Sequence, residues 1–229
     1  MNVSTRAAAV SPRRETWLMY RSMVGIGLVC GILLVAVYLW SKPIIERNRE
    51  AALQRAIFQV LSEARTSVTF KLNDDGSFAP LVGKAAGARV VHAGYAADGS
   101  LAGLAIEASG TGYQDVIKVI YGYSPQRQTI VGFRVLESRE TPGLGDKIDV
   151  DPQFLENFEA LDVSLTPDGA AIAHPIVSVK RGEKTEPWQI DAITGATVSS
   201  VAVTKMLRES SAYWMPKLTP RLDDFRAER

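Results

Sequence analysis

The residues of this chain best suited to chemistry stand in two short runs. The later is Asp191-Ala192-Ile193-Thr194-Gly195-Ala196-Thr197, followed by Val198-Ser199-Ser200. It reads as a turn that delivers the chain into a helix N-terminus near Ser199. The first N–H groups of a helix lack internal partners and carry the positive end of its dipole, so such a place favours a phosphate. Gly195 and Ala196 leave room for close approach, and Thr194, Thr197 and Ser199 offer hydroxyl donors. The same spacing also suits a plain helix cap, with Thr197 or Ser199 closing the first turn.

The earlier run is Glu137-Ser138-Arg139-Glu140-Thr141-Pro142-Gly143-Leu144-Gly145-Asp146-Lys147-Ile148. Pro followed by Gly is the central pair of a type II turn, and alone it predicts a tight exposed turn with nothing bound. Other chemistry is poorly supplied. Cys30 is the only cysteine and lies in an apolar run, which excludes an intrachain disulfide and a thiolate cluster. His92 and His174 stand far apart and outside any metal-ligand pattern, so they read as strand or loop residues and no metal is expected. There is no haem-attachment Cys-x-x-Cys-His and no Gly-x-Gly-x-x-G, so any electron transfer must be the chemistry of a bound cofactor.

These runs need elements to position them. From Ser22 to Ser41 the chain carries no charge, and as a helix this stretch spans roughly 30 Å, the thickness of a bilayer core. Trp17 and Tyr20 before it and Tyr38 and Trp40 at its end suit the two interfaces. The run passes into Ser41-Lys42-Pro43 without a small-residue cleavage site, so it predicts an uncleaved anchor. Arg6, Arg13, Arg14 and Arg21 precede it against Lys42, Arg47 and Arg49 after it, which places the N-terminus in the cytoplasm. Beyond Pro43, Leu53, Ile57, Val60, Leu61 and Ala64 repeat at helical spacing.

From Val68 the pattern changes to short apolar runs cut by turns, with strands expected at Leu101 to Ala108, Val116 to Tyr123 and Ile130 to Leu136. The last two are joined by Ser-Pro-Gln-Arg-Gln-Thr, too short for a helical crossover, so the sheet is mostly antiparallel. Asp151-Pro152 opens a short helix through PQFLENF. The helix after Thr197 has Val198, Val201, Ala202 and Leu207 as its apolar face. The fold class is therefore α+β: a single N-terminal transmembrane helix followed by one mostly antiparallel sheet domain with helices. With 26 Lys plus Arg against 25 Asp plus Glu, nothing in the charge favours nucleic acid.

The two runs together resemble the hallmarks of one family. Asp191 to Thr197 is similar to the flavinylation motif Asp-x-x-Ser/Thr-Gly-Ala-Thr of two related proteins, the G subunit of the Rnf ion-translocating electron-transport complex and the C subunit of the Na+-translocating NADH:quinone reductase. Glu140-Thr141-Pro142-Gly143-Leu144-Gly145 matches a second hallmark, about fifty residues earlier as the family requires. Thr194 stands where many relatives have serine. A third pattern, Gly-Tyr-x-Gly, departs here, since Gly112-Tyr113 is followed by Gln114-Asp115. The resemblance covers roughly Ser22 to Leu207.

It implies FMN joined to Thr197 by a phosphoester, attached by a flavin transferase that uses FAD. Asp191, Thr194, Gly195, Ala196, Ser199, Glu140, Thr141, Gly143 and Leu144 are implied as cofactor-binding. The implied function is a flavoprotein subunit, relaying electrons with other membrane and redox subunits in an inner-membrane complex that couples the transfer to ion translocation. The isolated chain would have no catalytic activity of its own. Chain length between anchor and flavin loop favours the Rnf protein over its quinone reductase counterpart. A membrane-anchored flavin sensor is a further alternative. The expected organisation is a cytoplasmic arm over 1–21, the transmembrane helix over 22–41, a juxtamembrane helix over 42–66, a periplasmic FMN-binding domain over 67–210 and a charged C-terminal tail over 211–229.

Overall fold

The structure is a computed structural model that describes residues 12–81, 83 and 87–226. Arg6 and most of the N-terminal arm, and the last three residues of the tail, lie outside the described residues. The chain divides into two units, Met1–Ala51 and Ala52–Arg229.

The described residues of the first unit form one helix, α1, which runs Pro12–Val60 and so continues into the second unit. Its apolar side chains from Trp17 to Trp40 are exposed along their whole length, a surface far too large to leave in water. The helix is long and apolar enough to cross a membrane. Its two serine hydroxyls are satisfied within the helix: Ser22 Oγ donates to the Leu18 and Met19 carbonyls, and Ser41 Oγ to the Val37 carbonyl at 2.6 Å. That arrangement suits a medium without water.

The second unit is built on a seven-stranded sheet in the order β2-β1-β3-β4-β5-β6-β7, every pair antiparallel. The strands are β1 Thr66–Leu72, β2 Phe78–Pro80, β3 Val90–Tyr95, β4 Leu101–Thr111, β5 Val116–Ser124, β6 Thr129–Glu137 and β7 Leu161–Asp162. Two short helices, α2 Lys147–Val150 and α3 Pro152–Glu156, follow β6. Asp151 caps α3, its Oδ1 accepting from the Phe154 N–H. A parallel pair, β8 Val177–Val179 with β9 Gln189–Asp191, leads to α4, Thr197–Leu218, and a 3-10 helix, Thr219–Phe225.

Alternation along the strands sorts side chains to the two faces of the sheet. Leu104, Ile106, Ile117, Val119 and Tyr121 enter the main core with Val203, Leu207 and Met215 of α4. Ala105 and Ile120 face the other way, against Ala56, Ile57, Val60 and Leu61. Here the chain comes so close that a Cβ on Gly122 would lie 2.3 Å from the Val60 carbonyl oxygen, and one on Gly103 2.8 Å from a Leu61 methyl. Only glycine fits beneath the end of α1.

Three elements differ from expectation. The juxtamembrane helix ends at Val60 rather than 66, because the Arg65 N–H already pairs with the Tyr95 carbonyl to start β1. Of the face expected for α4, Leu207 is buried and Ala202 half-buried, but Val198 and Val201 are exposed, and Ser199, Ser200, Val203, Thr204 and Met206 turn inward beside Leu207. The segment read as a charged tail is the end of α4 and the 3-10 helix. It is held by Phe225, whose ring centroid lies 4.9 Å from those of Phe70 and Phe78 and whose carbonyl accepts from Tyr95 Oη.

Candidate functional site

Both runs singled out in the sequence fold into the same device. Leu144 N–H donates to the Thr141 carbonyl at 3.1 Å with Gly143 at φ +78°, and Ala196 N–H donates to the Ile193 carbonyl at 3.0 Å with Gly195 at φ +85°. These are the closing bond and the left-handed third residue that a type II turn requires, which is why glycine stands at each. The second turn runs directly into α4. Ala196 is the N-cap residue and makes no side-chain cap bond, so neither Thr197 nor Ser199 caps the helix. Thr197, Val198 and Ser199 form its first turn, where N–H groups have no carbonyl one turn earlier to meet.

Glu140 ties the pieces together. It is buried, 6% exposed, and its carboxylate accepts from the Tyr113 N–H at 3.2 Å, the Gln114 N–H at 3.0 Å and the Ser199 hydroxyl at 2.5 Å. Burial pushes this carboxyl up. The Ser199 hydroxyl and the backbone N–H groups of Gln114, Tyr113 and Asp115 together outweigh that, and hold it below the usual carboxylate range. A Cβ on Gly112 would lie 2.5 Å from Glu140 Oε1, and one on Gly145 would lie 2.6 Å from Oε2 and 2.9 Å from Ser199 Oγ. The β4–β5 hairpin tip, the Pro-Gly turn and the start of α4 thus close on one carboxylate. Thr141 Oγ1 adds a bond to Gln114 Oε1 at 3.1 Å.

Between these segments lies a cleft of about 320 Å³, lined by Tyr113, Glu140, Thr141, Leu144, Gly145, Gly195, Ala196, Thr197, Val198 and Ser199. Ligand pockets begin at about this size. Of the residues expected to bind a cofactor, Thr197, Gly195, Ala196, Ser199, Glu140, Thr141 and Leu144 meet in the cleft. Gly143 and Thr194 are exposed and do not line it. Asp191 lies elsewhere: its Oδ1 accepts from the Lys184 N–H, its own N–H donates to Asn157 Oδ1, and it lines a separate pocket with Asp151 and Arg181. Its carboxylate is used to fix the approach to the turn.

Tyr113, Gly145 and Val198 line the cleft and were not among the expected contacts. Tyr113 carried a signal in the incomplete Gly-Tyr-x-Gly pattern. Val198 carried none, because its assignment to the apolar face of α4 pointed it the wrong way. The two histidines stay outside the site. His92 bonds Thr69 Oγ1 and faces Glu107 within the sheet, and His174 stacks on Trp188. Among the described residues no group of His, Cys, Asp and Glu could hold a metal.

A turn entering a long helix, faced by a second turn and open at an exposed hydroxyl, has the donors and the room that suit a phosphate-bearing ligand, and residues 112–211 match the family of FMN-binding domains. Two solved structures share the fold. NqrC of Shewanella oneidensis superposes with a TM-score of 0.56 at 18% identity, over 79% of this chain and 96% of that one. The C subunit of the Na+-translocating NADH-quinone reductase of Parabacteroides distasonis does so with 0.57 at 21% identity, over 76% and 95%. Among curated proteins, the G subunit of the ion-translocating oxidoreductase complex of Methanosarcina acetivorans is 30% identical over 210 residues, spanning 89% of this chain and 97% of the relative. Its counterpart in Aliivibrio fischeri is 35% identical over 122 residues, about half of either chain. The chain belongs to the family of G subunits of ion-translocating oxidoreductase complexes.

Proposed function

We propose that Thr197 carries FMN through a phosphoester on its hydroxyl, and that this domain relays electrons through that flavin within an ion-translocating oxidoreductase complex. The observation that carries the reading is an accounting of hydroxyls. The Ser199 hydroxyl donates to the Glu140 carboxylate, and the Ser200 hydroxyl donates to the Ala196 carbonyl while accepting from the Ile193 N–H, so both are committed and buried. Thr194 is outside the cleft. Thr197 is exposed, lines the cleft and makes none of the described side-chain hydrogen bonds.

The residues present fit such a group. A phosphate on Thr197 Oγ1 would sit at the first turn of a 22-residue helix, where free N–H groups and the dipole favour negative charge. Gly195 has nothing within 4 Å of where a Cβ would stand, which leaves the approach open. Leu144 and Val198, both exposed, supply apolar surface for a ring, with Tyr113 beside them. When bound, the flavin accepts and returns one or two electrons, and the chain's part is to hold, orient and electrostatically bias it. A flavin transferase using FAD would form the Oγ1–P bond and release AMP.

On the same reading the N-terminus lies in the cytoplasm and the flavin domain on the opposite, periplasmic side of the inner membrane. Support comes from the excess of arginine before the apolar stretch. That stretch holds no ionisable residue apart from Cys30 and Tyr38, so the ion path belongs to other subunits. Mass spectrometry of protein from its native host is expected to find FMN on the Thr197 peptide and to lose it in Thr197→Ala. An unmodified Thr197 in the active complex would refute the reading. Protease added to intact spheroplasts should digest the large domain, and its protection would reverse the orientation.

A further inference from the structure

Glu140 is the one acidic residue among the buried described residues. No described ion pair includes it, and its neighbour Arg139 turns instead to Asp115 at 3.5 Å. Three neutral donors stabilise the carboxylate without cancelling its charge. The glycines at 112 and 145 let backbone close over its two oxygens, which excludes water from those sides. What remains open is the cleft, which Glu140 lines together with Thr197. A charge so enclosed acts on its surroundings through a medium of lower dielectric than water.

We propose that Glu140 is an electrostatic positioning residue that keeps the reduction potential of the Thr197 cofactor low, by facing it with a fixed negative charge that no described ion pair offsets. The inference rests on the cofactor reading above. Every electron the cofactor accepts without a proton adds negative charge beside that carboxylate, which disfavours the reduced form. Ser199 moderates the effect. Its hydroxyl hydrogen is directed at the Glu140 oxygen, so toward the cleft the side chain can accept, but not give, a hydrogen bond. Its hydroxyl is therefore no donor to a phosphate, contrary to the expectation from its type and spacing.

The test is a reductive titration with dithionite and reference dyes on the full-length protein in detergent, after mass spectrometry has verified FMN on Thr197. Glu140→Gln removes the charge and is expected to raise the midpoint potential, while Glu140→Asp keeps the charge and stays closer to wild type. Ser199→Ala leaves the carboxylate without its hydroxyl donor and is expected to lower the potential. Opposite signs for Glu140→Gln and Ser199→Ala distinguish charge from general loosening, which would let water in and move both the same way. An unchanged potential in Glu140→Gln at full flavin occupancy, or shifts of one sign in both variants, overturns the proposal and leaves the cofactor reading intact. Should Glu140→Gln fail to retain flavin, Ser199→Ala decides: a potential that rises or stays still overturns it. Wild-type protein without FMN on Thr197 overturns the cofactor reading instead.

Discussion

Replacing Glu140 by alanine removes one acceptor from three donors. Hydrogen bonds to a charged group contribute about 1.5–3 kcal/mol each. Tyr113 and Gln114 are exposed residues whose N–H groups regain water, so each of their bonds contributes toward ~1 kcal/mol, while buried Ser199 keeps the fuller value. Removing a buried charge returns part of its desolvation cost, which leaves a net loss of about 2–4 kcal/mol. For a domain of this size that is a fall in melting temperature of roughly 5–15 °C. The sign of its pH dependence is fixed by the direction of the shift. Because the folded carboxyl lies below its unfolded value, its contribution is fully present above the unfolded carboxylate range and is lost as pH falls through the folded value. Near-UV circular dichroism melts of full-length wild type and Glu140→Ala are expected to differ most at neutral pH and to converge in acid. Equal melting at neutral pH, or a gap that widens toward acid, would refute the role assigned to this carboxylate.

Other perturbations probe the remaining contacts. Gly145→Ala puts a methyl 2.7 Å from Glu140 Cβ and 2.9 Å from Ser199 Oγ, so it should cost about 1–3 kcal/mol and lower flavin occupancy. That cost should shrink when Ser199 is also alanine, whereas Gly143→Ala, strained only by its φ of +78°, should show no such coupling in a double-mutant cycle. Gly122→Ala must displace the Val60 carbonyl. It is expected to speed hydrogen exchange in β5 and to expose residues 61–65 to protease. Phe225→Ala opens a cavity beside Phe70 and Phe78 and should lower stability by about 3–5 kcal/mol in the same melts.

The sheet was legible because alternation and turn chemistry are local. Strands expected at Leu101 to Ala108, Val116 to Tyr123 and Ile130 to Leu136 are present, and each runs slightly further than its apolar pattern. The two turns were legible for the same reason, through Pro142-Gly143 and Gly195. What escaped depends on partners distant in the chain. Ser199, Ser200, Thr204 and Ser211 sit on the buried face of α4, where each hydroxyl finds a carbonyl or the Glu140 carboxylate. Apolar spacing alone gives Val198, Val201, Ala202 and Leu207 as the inward face and carries no signal for buried hydroxyls. Phe225 stands alone in a charged stretch, and only the contacts of its ring and carbonyl show that the chain stays in the core. Asp191 illustrates the limit of a motif. Its match to the flavinylation pattern is complete, yet its carboxylate is spent on Lys184, one step removed from the cleft.

The shape of the cleft bears on why a covalent bond would be needed at all. At about 320 Å³ it lies at the small end of ligand pockets, with Leu144, Val198 and Tyr113 exposed at its lining. A flavin seated there would bury only part of its surface, and non-covalent affinity follows from what is buried and well paired. A deeper pocket would hold the cofactor better and also wall it off from a redox partner. The phosphoester proposed at Thr197 would separate the two requirements: retention would fall to one bond at the start of α4, and the ring's apolar surroundings would be left open for electron exchange. The turns behind the cleft then need only be stiff, which the Glu140 carboxylate and the Ser200 hydroxyl achieve by fixing each turn to the first two windings of the same helix.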